Sequence, residues 1–215
     1  MTRALDLTPE LLLMTDDISR GRGRPVQRRF VQLLDALEAA RASYAICGAV
    51  AMGAHGAERY TKDIDVLVDE KDLEAVVARL GGSMKELGRE PADGPAKQVR
   101  LRAKRAKTDE AVDIDLLVPV DVVEAWALAT AVRARAFGRK VDVASPEALV
   151  VMKLRAYLSD PDSPAGGKHR IDAMTIAQTV PIDRDGLRAF VRSHPDLAAE
   201  LERVLAAPRP RGRLG

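Results

Sequence analysis

Cysteine is nearly absent from this 215-residue chain: Cys47 is the only one. A lone thiol excludes an internal disulfide and a cysteine-rich zinc site, and it fits a reducing compartment. Aromatic residues amount to only 3%, so platforms for stacking unpaired bases are scarce and that mode of strand recognition is disfavoured. An excess of either charge is also missing. Lys+Arg 34 against Asp+Glu 32 leaves a formal +2, so no global attraction to a polyanion exists, and any nucleic-acid contact must come from local basic patches. Long apolar runs are lacking as well. The one apolar run near the start, Leu11 to Met14, is short and leads into Asp16 and Asp17, unlike a secretory peptide. No window approaches the roughly 20 apolar residues that a membrane-spanning helix needs. The expectation is a soluble cytoplasmic protein with no membrane partner.

What the chain does have is enough apolar residue, 47%, to bury a core in one domain with an appendage or in two small domains. Thr8-Pro9-Glu10 reads as a helix start, and Ser19 to Pro25 as a basic linker. Val26, Phe30, Leu33, Leu34 and Leu37 recur at helical spacing and predict an amphipathic helix to Arg41. A strand at Tyr44–Cys47, a short helix to His55, a strand at Asp63–Val68 and a helix from Lys71 to Leu80 follow. Strands are expected at Val99–Lys104 and Val112–Val118, a helix at Asp121–Val132 and a short strand at Lys140–Val143. Ser145-Pro146-Glu147 is again a helix start, and helical patterns then run to Ala206, interrupted by a loop, SDPDSPAGG. The organisation expected is an N-terminal helix and linker (1–24), an α/β domain (25–143), a helical subdomain (144–207) and a disordered tail (208–215).

The chemistry concentrates at Asp63-Ile64-Asp65. Alternate residues of a strand share a face, so both carboxylates point one way while Ile64, Val66 and Val68 point into a core. Like charges side by side repel, and a divalent cation between them is a common resolution. Asp113 and Asp115 repeat the pattern on a second strand, and either can supply a third acid. Gly48 closes the preceding strand, where backbone N–H groups at the opening of a helix can receive phosphate oxygens. Each element has a plainer reading: a solvated strand end for an isolated acid, and relief of a tight turn for Gly48.

The stretch GAVAMGAHGAERYTKDIDVLV resembles the nucleotidyltransferase superfamily, and within it the AbiEii-type toxins of bacterial toxin–antitoxin and phage-defence pairs. The resemblance is carried by Tyr44–Val68 and Asp113–Val118, and extends to PEALVVMKLRAYL and KHRIDAM in the helical half. Two departures stand out: Ala49 where the family usually has Gly or Ser, and His169 where an acid often follows the lysine. Ala49 retains its backbone N–H.

The resemblance implies an α/β (α+β) fold, with a nucleotidyltransferase-like mixed β-sheet flanked by helices and a C-terminal helical subdomain across a cleft. It implies Mg²⁺, or Mn²⁺, held by Asp63, Asp65 and one of Asp113 and Asp115. Asp115 is the closer match, because the family's acid precedes two apolar residues, as in Asp-Leu-Leu here. Gly48, Ala49, Arg59, Thr61 and Lys62 would border the phosphates of an NTP, Lys153 would act on the nucleotide, and Lys168 and Asp172 would complete a later motif. The implied reaction moves an NMP to a hydroxyl of RNA, such as tRNA, or of protein, and a cognate antitoxin is an implied partner. Without the resemblance, Lys153 is a surface lysine on an amphipathic helix, and Lys168 and Asp172 are an intrahelical ion pair. His55 reads as a helix cap, Cys47 as core, and Arg100 and Arg102 as either a path for RNA phosphates or a solvated sheet face. The rival functions are an antibiotic-modifying nucleotidyltransferase, a phosphohydrolase, and a non-catalytic nucleotide-binding or antitoxin-like protein.

Overall fold

The computed structural model describes residues 24–57, 59, 61, 63–90, 97–103 and 112–208. The helix start at Thr8, most of the basic linker, the Arg105–Glu110 connection and the tail from 209 lie outside the described residues. Up to Ser145 the described residues form one compact unit, and from Pro146 a second.

The first unit is built on strands β1 (Tyr44–Ile46), β2 (Asp63–Val68), β3 (Met84–Glu90), β4 (Lys97–Ala103), β5 (Asp113–Val118), β6 (Val132–Ala136) and β7 (Arg139–Val143). They form one sheet in the order β3-β4-β5-β2-β1-β7-β6. The β2–β5 and β1–β7 pairs are parallel and the remaining pairs antiparallel. Its helices are α1 (Arg24–Ala40), α2 (Gly48–Ala54), α3 (Glu70–Leu80) and α4 (Val122–Ala129). On α1, Phe30, Leu33, Leu34 and Leu37 are fully buried, which is the stripe the helical spacing predicts. One face of the central strands is likewise apolar: Ile64, Val66, Leu101, Ile114 and Leu116 are buried. Burying side chains of this size stabilises by about 1.5–3 kcal/mol each. His55 ends α2 as expected of a cap, with its backbone N–H on the Ala51 and Met52 carbonyls. Its ring Nε2 lies 2.8 Å from the Ala144 carbonyl.

Three expectations change. The helix predicted for Asp121–Val132 ends at Ala129, where the Thr130 hydroxyl donates to the Trp126 carbonyl at 2.7 Å. The chain then turns into β6, which pairs with β7 through a two-residue hairpin. Phe137 and Gly138 occupy that turn with φ of 47° and 79°, the left-handed pair that suits a tight hairpin between twisted strands. Phe137 tolerates this conformation while its ring packs on Phe30, with centroids 5.1 Å apart. Finally, β3 is a strand that no apolar alternation announces.

The second unit is helical: α5 (Pro146–Ser159), α6 (Pro164–Thr179), α7 (Arg184–Val191) and α8 (Pro195–Ala206). Within it α5 packs on α6 and α8, and α7 on α8. The predicted SDPDSPAGG loop is shorter than expected, because Ser163 caps α6 by accepting from the Gly166 N–H at 2.9 Å. Proline at the first helical position then starts the helix four residues before Lys168.

Candidate active site

The four acids of the two D-x-D strands share one face of the sheet. The parallel pairing of β2 and β5 sets Asp63 opposite Asp113 and Asp65 opposite Asp115, with Ile64 opposite Ile114 on the other face. The antiparallel pairing of β4 with β5 sets Arg100 opposite Asp115 and Arg102 opposite Asp113. Two transverse rows result, Arg100–Asp115–Asp65 and Arg102–Asp113–Asp63. Accessibility falls from β2 to β5: Asp63 is exposed and Asp65 half-buried, whereas Asp113 and Asp115 are only 7% and 4% exposed.

Gly48 adjoins the first row. Its φ is +59°, a conformation that L side chains rarely adopt. A Cβ at this position would collide with the Asp65 carboxylate, so only glycine lets the backbone come this close. The Cys47 N–H donates to the Asp65 carbonyl at 2.9 Å and fixes the turn to β2 through the main chain. Cys47 itself is buried. Thr61 secures the entry to β2: its hydroxyl accepts from the Asp63 N–H at 3.1 Å and donates to the Asp63 carbonyl at 3.0 Å. That hydroxyl is therefore engaged with backbone. Arg59 is half-buried on the same approach, and Lys62 lies outside the described residues.

Arg100 and Arg102 grip the two buried acids. Arg100 donates from Nε to Asp115 Oδ1 at 2.7 Å and from Nη2 to Oδ2 at 2.8 Å. Arg102 does the same to Asp113 at 2.7 and 2.6 Å. Such fork-to-fork pairs are the strongest ordinary ion pairs, because two parallel charge-assisted bonds form at once. Hydrogen bonding to Asp115 raises the Arg100 pKa well above its ordinary value, against the opposing effect of burial and with further attraction from Asp115, Asp63 and Asp113. Arg102 is raised in the same way by Asp113. Arg100 and Arg102 are counter-ions of the buried acids and, with side chains 48% and 40% exposed, also the solvated sheet face that one of the two sequence readings expects. Arg100 and Arg102 keep the same two-residue period as Asp113 and Asp115, but which arginine faces which acid is set by the β4–β5 register.

This face suits a hard divalent cation by donor type, since it offers carboxylate oxygens alone. Its side chains are not gathered into a cage. Among the described residues no three His, Cys, Asp or Glu groups come close enough together to hold a metal ion. Asp113 and Asp115 give both oxygens to arginines on β4, the strand on the side away from β2.

The remaining predicted residues belong to the second unit. Lys153 is buried and bonds Asp172 Oδ2 at 3.1 Å, with side-chain exposures of 11% and 6%. The plain reading of Lys153 as a surface lysine is thus corrected: α5 buries Ala148, Leu149, Val150, Val151 and Leu154 around it. The intrahelical pairing of Lys168 with Asp172 is corrected too, since Asp172 reaches across to α5 while Lys168 is exposed on α6.

A mixed sheet with paired acids on one face beside a glycine turn defines the chain as a nucleotidyltransferase that uses an NTP. The model for "Nucleotidyl transferase AbiEii toxin, Type IV TA system" matches residues 32–211, and the chain belongs to this family. No curated protein matches it significantly. Among solved structures it resembles an antigenic nucleotidyltransferase-like protein from Paracoccidioides brasiliensis, at 18% identity and TM-score 0.50, over 82% of this chain and 92% of that one. It also aligns with the antibiotic-resistance factor ANT(2'')-Ia in solution, at 20% identity and TM-score 0.49, over 82% of this chain and 95% of that one. The crystal structure of ANT(2")-Ia in complex with adenylyl-2"-tobramycin aligns at 19% identity and TM-score 0.49, over 82% and 97%. No described helix is long and apolar enough to cross a membrane.

Proposed function

We propose that the chain moves a nucleoside monophosphate from an NTP to a hydroxyl on RNA, such as tRNA, or on protein, releasing pyrophosphate. It acts as the toxin of a bacterial toxin–antitoxin or phage-defence pair, with a cognate antitoxin as its partner. One observation carries this reading: in a chain of the AbiEii family, the Asp65–Asp115 row lies against a glycine that no other residue can replace.

Asp63 and Asp65 are the first two donors for Mg²⁺ or Mn²⁺. Asp115 is the third, because it shares the row nearest Gly48, and Asp113 is its alternative one row out. When bound, the cation neutralises phosphate charge and lowers the pKa of the acceptor hydroxyl. The Gly48 and Ala49 N–H groups receive phosphate oxygens. Arg59 contributes positive charge along the approach, Lys62 is assigned the same role by the family resemblance alone, and Thr61 fixes where Asp63 begins. Lys153 is assigned to the nucleotide by the family resemblance, with Asp172 as its ion-pair partner and Lys168 nearby on the same helix as that partner.

The test is incubation of purified protein with Mg²⁺, total RNA and each labelled NTP in turn. The expected result is label entering RNA or protein with one nucleotide preferred, and none entering with Asp65→Asn. Label entering only an aminoglycoside would move the function to drug modification. Free phosphate without a labelled acceptor would make the protein a hydrolase.

A further inference from the structure

Helix α4, VVEAWALA, has its polarity reversed. Its single charged residue, Glu124, is only 5% exposed, while Val122, Ala125 and Ala129, which share one helical face, are all exposed. The apolar surface continues past both ends of the helix. Among the described residues five large apolar side chains are exposed, and three of them are Val120 at 38%, Val122 at 51% and Val132 at 39%. The other two, Leu87 and Ile171, stand apart on β3 and α6. A face that turns its charge inward and its valines outward is the mark of a surface made to be covered.

The order of residues along this face identifies what covers it. Asp121, Val122 and Ala125 precede Ala127 at the same intervals at which Arg133, Val132 and Ala129 follow it. The face therefore matches its own reverse, apolar against apolar and acid against base. Two antiparallel copies related by a two-fold axis level with Ala127 set Val122 against Val132, Ala125 against Ala129 and Asp121 against Arg133. Each pair then occurs twice, as a contact between identical surfaces requires. The antiparallel arrangement also opposes the two helix dipoles. Arg133 is free to take part, since its side chain is 61% exposed and its pair with Asp142 is a surface one. We propose that α4 and the start of β6 are the contact between two copies of this chain. The inference goes beyond the transfer reaction and draws on none of the residues assigned to it.

The experiment is sedimentation equilibrium of the full chain from about 1 to 200 μM, where a small contact of this kind gives a reversible dimer. Val132→Asp sets an acid against Asp121 of the second copy, and Val122→Asp sets one against its Val132. Each change acts twice in the dimer, so each should weaken association about tenfold or more. Ile171→Asp, which alters an exposed apolar side chain elsewhere, should stay within about twofold of wild type. Thiols test the register directly, because the natural Cys47 is buried. Ala125→Cys mixed with Ala129→Cys should form a disulfide-linked dimer about tenfold faster than either variant alone, since only the mixture brings two thiols opposite each other. This pair decides the matter if the aspartate variants do not fold. Three results would each overturn the proposal: a monomer over the whole concentration range, a dimer that Val122→Asp and Val132→Asp weaken no more than Ile171→Asp does, or cross-linking no faster in the mixture. The nucleotidyltransferase reading fails on a different result, transfer unaffected by Asp65→Asn.

Discussion

The sheet unit and the helical unit both contain buried acids paired with bases, yet the two sets are built differently. On the sheet, each buried carboxylate has a partner that is two-fifths or more exposed: Arg100 at 48% and Arg102 at 40%. In the helices, Lys153 and Asp172 are buried together. Glu200, 2% exposed by side chain, is held from two sides by Arg170 at 2.5 Å and by Arg203 at 2.6 Å; Arg203 is itself 64% exposed, so the double grip and not dryness fixes this acid. Arg170 is further seated over the Tyr157 ring, 5.8 Å from its centroid. A pair with one wet partner can be exchanged for another charge. A pair dry on both sides, or pinned from several, holds helices in register and punishes the loss of either member. The first arrangement suits a site that takes up a ligand, and the second suits a scaffold.

Substitutions can break that contrast. Lys153→Met should destabilise most, by about 3–5 kcal/mol, because it removes one member of an ion pair buried on both sides. Denaturant unfolding would measure it, and a partial rescue by Lys153→Met with Asp172→Leu would show that the cost lies in the stranded charge. Gly48→Ala should cost about 3 kcal/mol, combining the left-handed backbone with a methyl driven into the Asp65 carboxylate. Glu200→Gln should cost about 2 kcal/mol through its weakened arginine bonds. Burial alone would raise the Glu200 carboxyl, but hydrogen bonds from Arg203 and Arg170 outweigh it and leave the pKa below the ordinary 4.5. Its stabilising contribution is therefore complete above about pH 5 and is lost as pH falls through the lowered folded value. Acid titration of the unfolding midpoint should show a smaller acid-side loss in Glu200→Gln than in wild type. Arg133→Ala should matter least, under about 1 kcal/mol, since its 3.0 Å pair with Asp142 is exposed at 61% and 39%.

The same contrast explains what could be read from the sequence. The β1–α2–β2 segment was legible because its apolar residues alternate and its acids fall on the opposite face. The edge strands were not. In β3, MKELGRE, only Met84 is buried among the described side chains, so pairing with β4 is a matter of backbone and leaves no side-chain period. The start of β6 is equally exposed, and its turn uses Phe-Gly where Asn-Gly is the familiar signal. At the site, the carboxylates could be found from their spacing, and their counter-ions could not, because which arginine opposes which acid depends on the β4–β5 register. Lys153 was legible as a position but not as an environment: its burial follows from packing on both sides of α5.

The central claim is that the Asp65–Asp115 row performs metal-assisted transfer of a nucleoside monophosphate. The most direct measurement is the rate at which labelled NMP enters its acceptor with wild type, Asp65→Asn and Asp115→Asn at equal folded concentration. The account predicts losses of about a thousandfold or more in both variants, as removal of several kcal/mol of charge stabilisation requires. Transfer at the wild-type rate by either variant would contradict it.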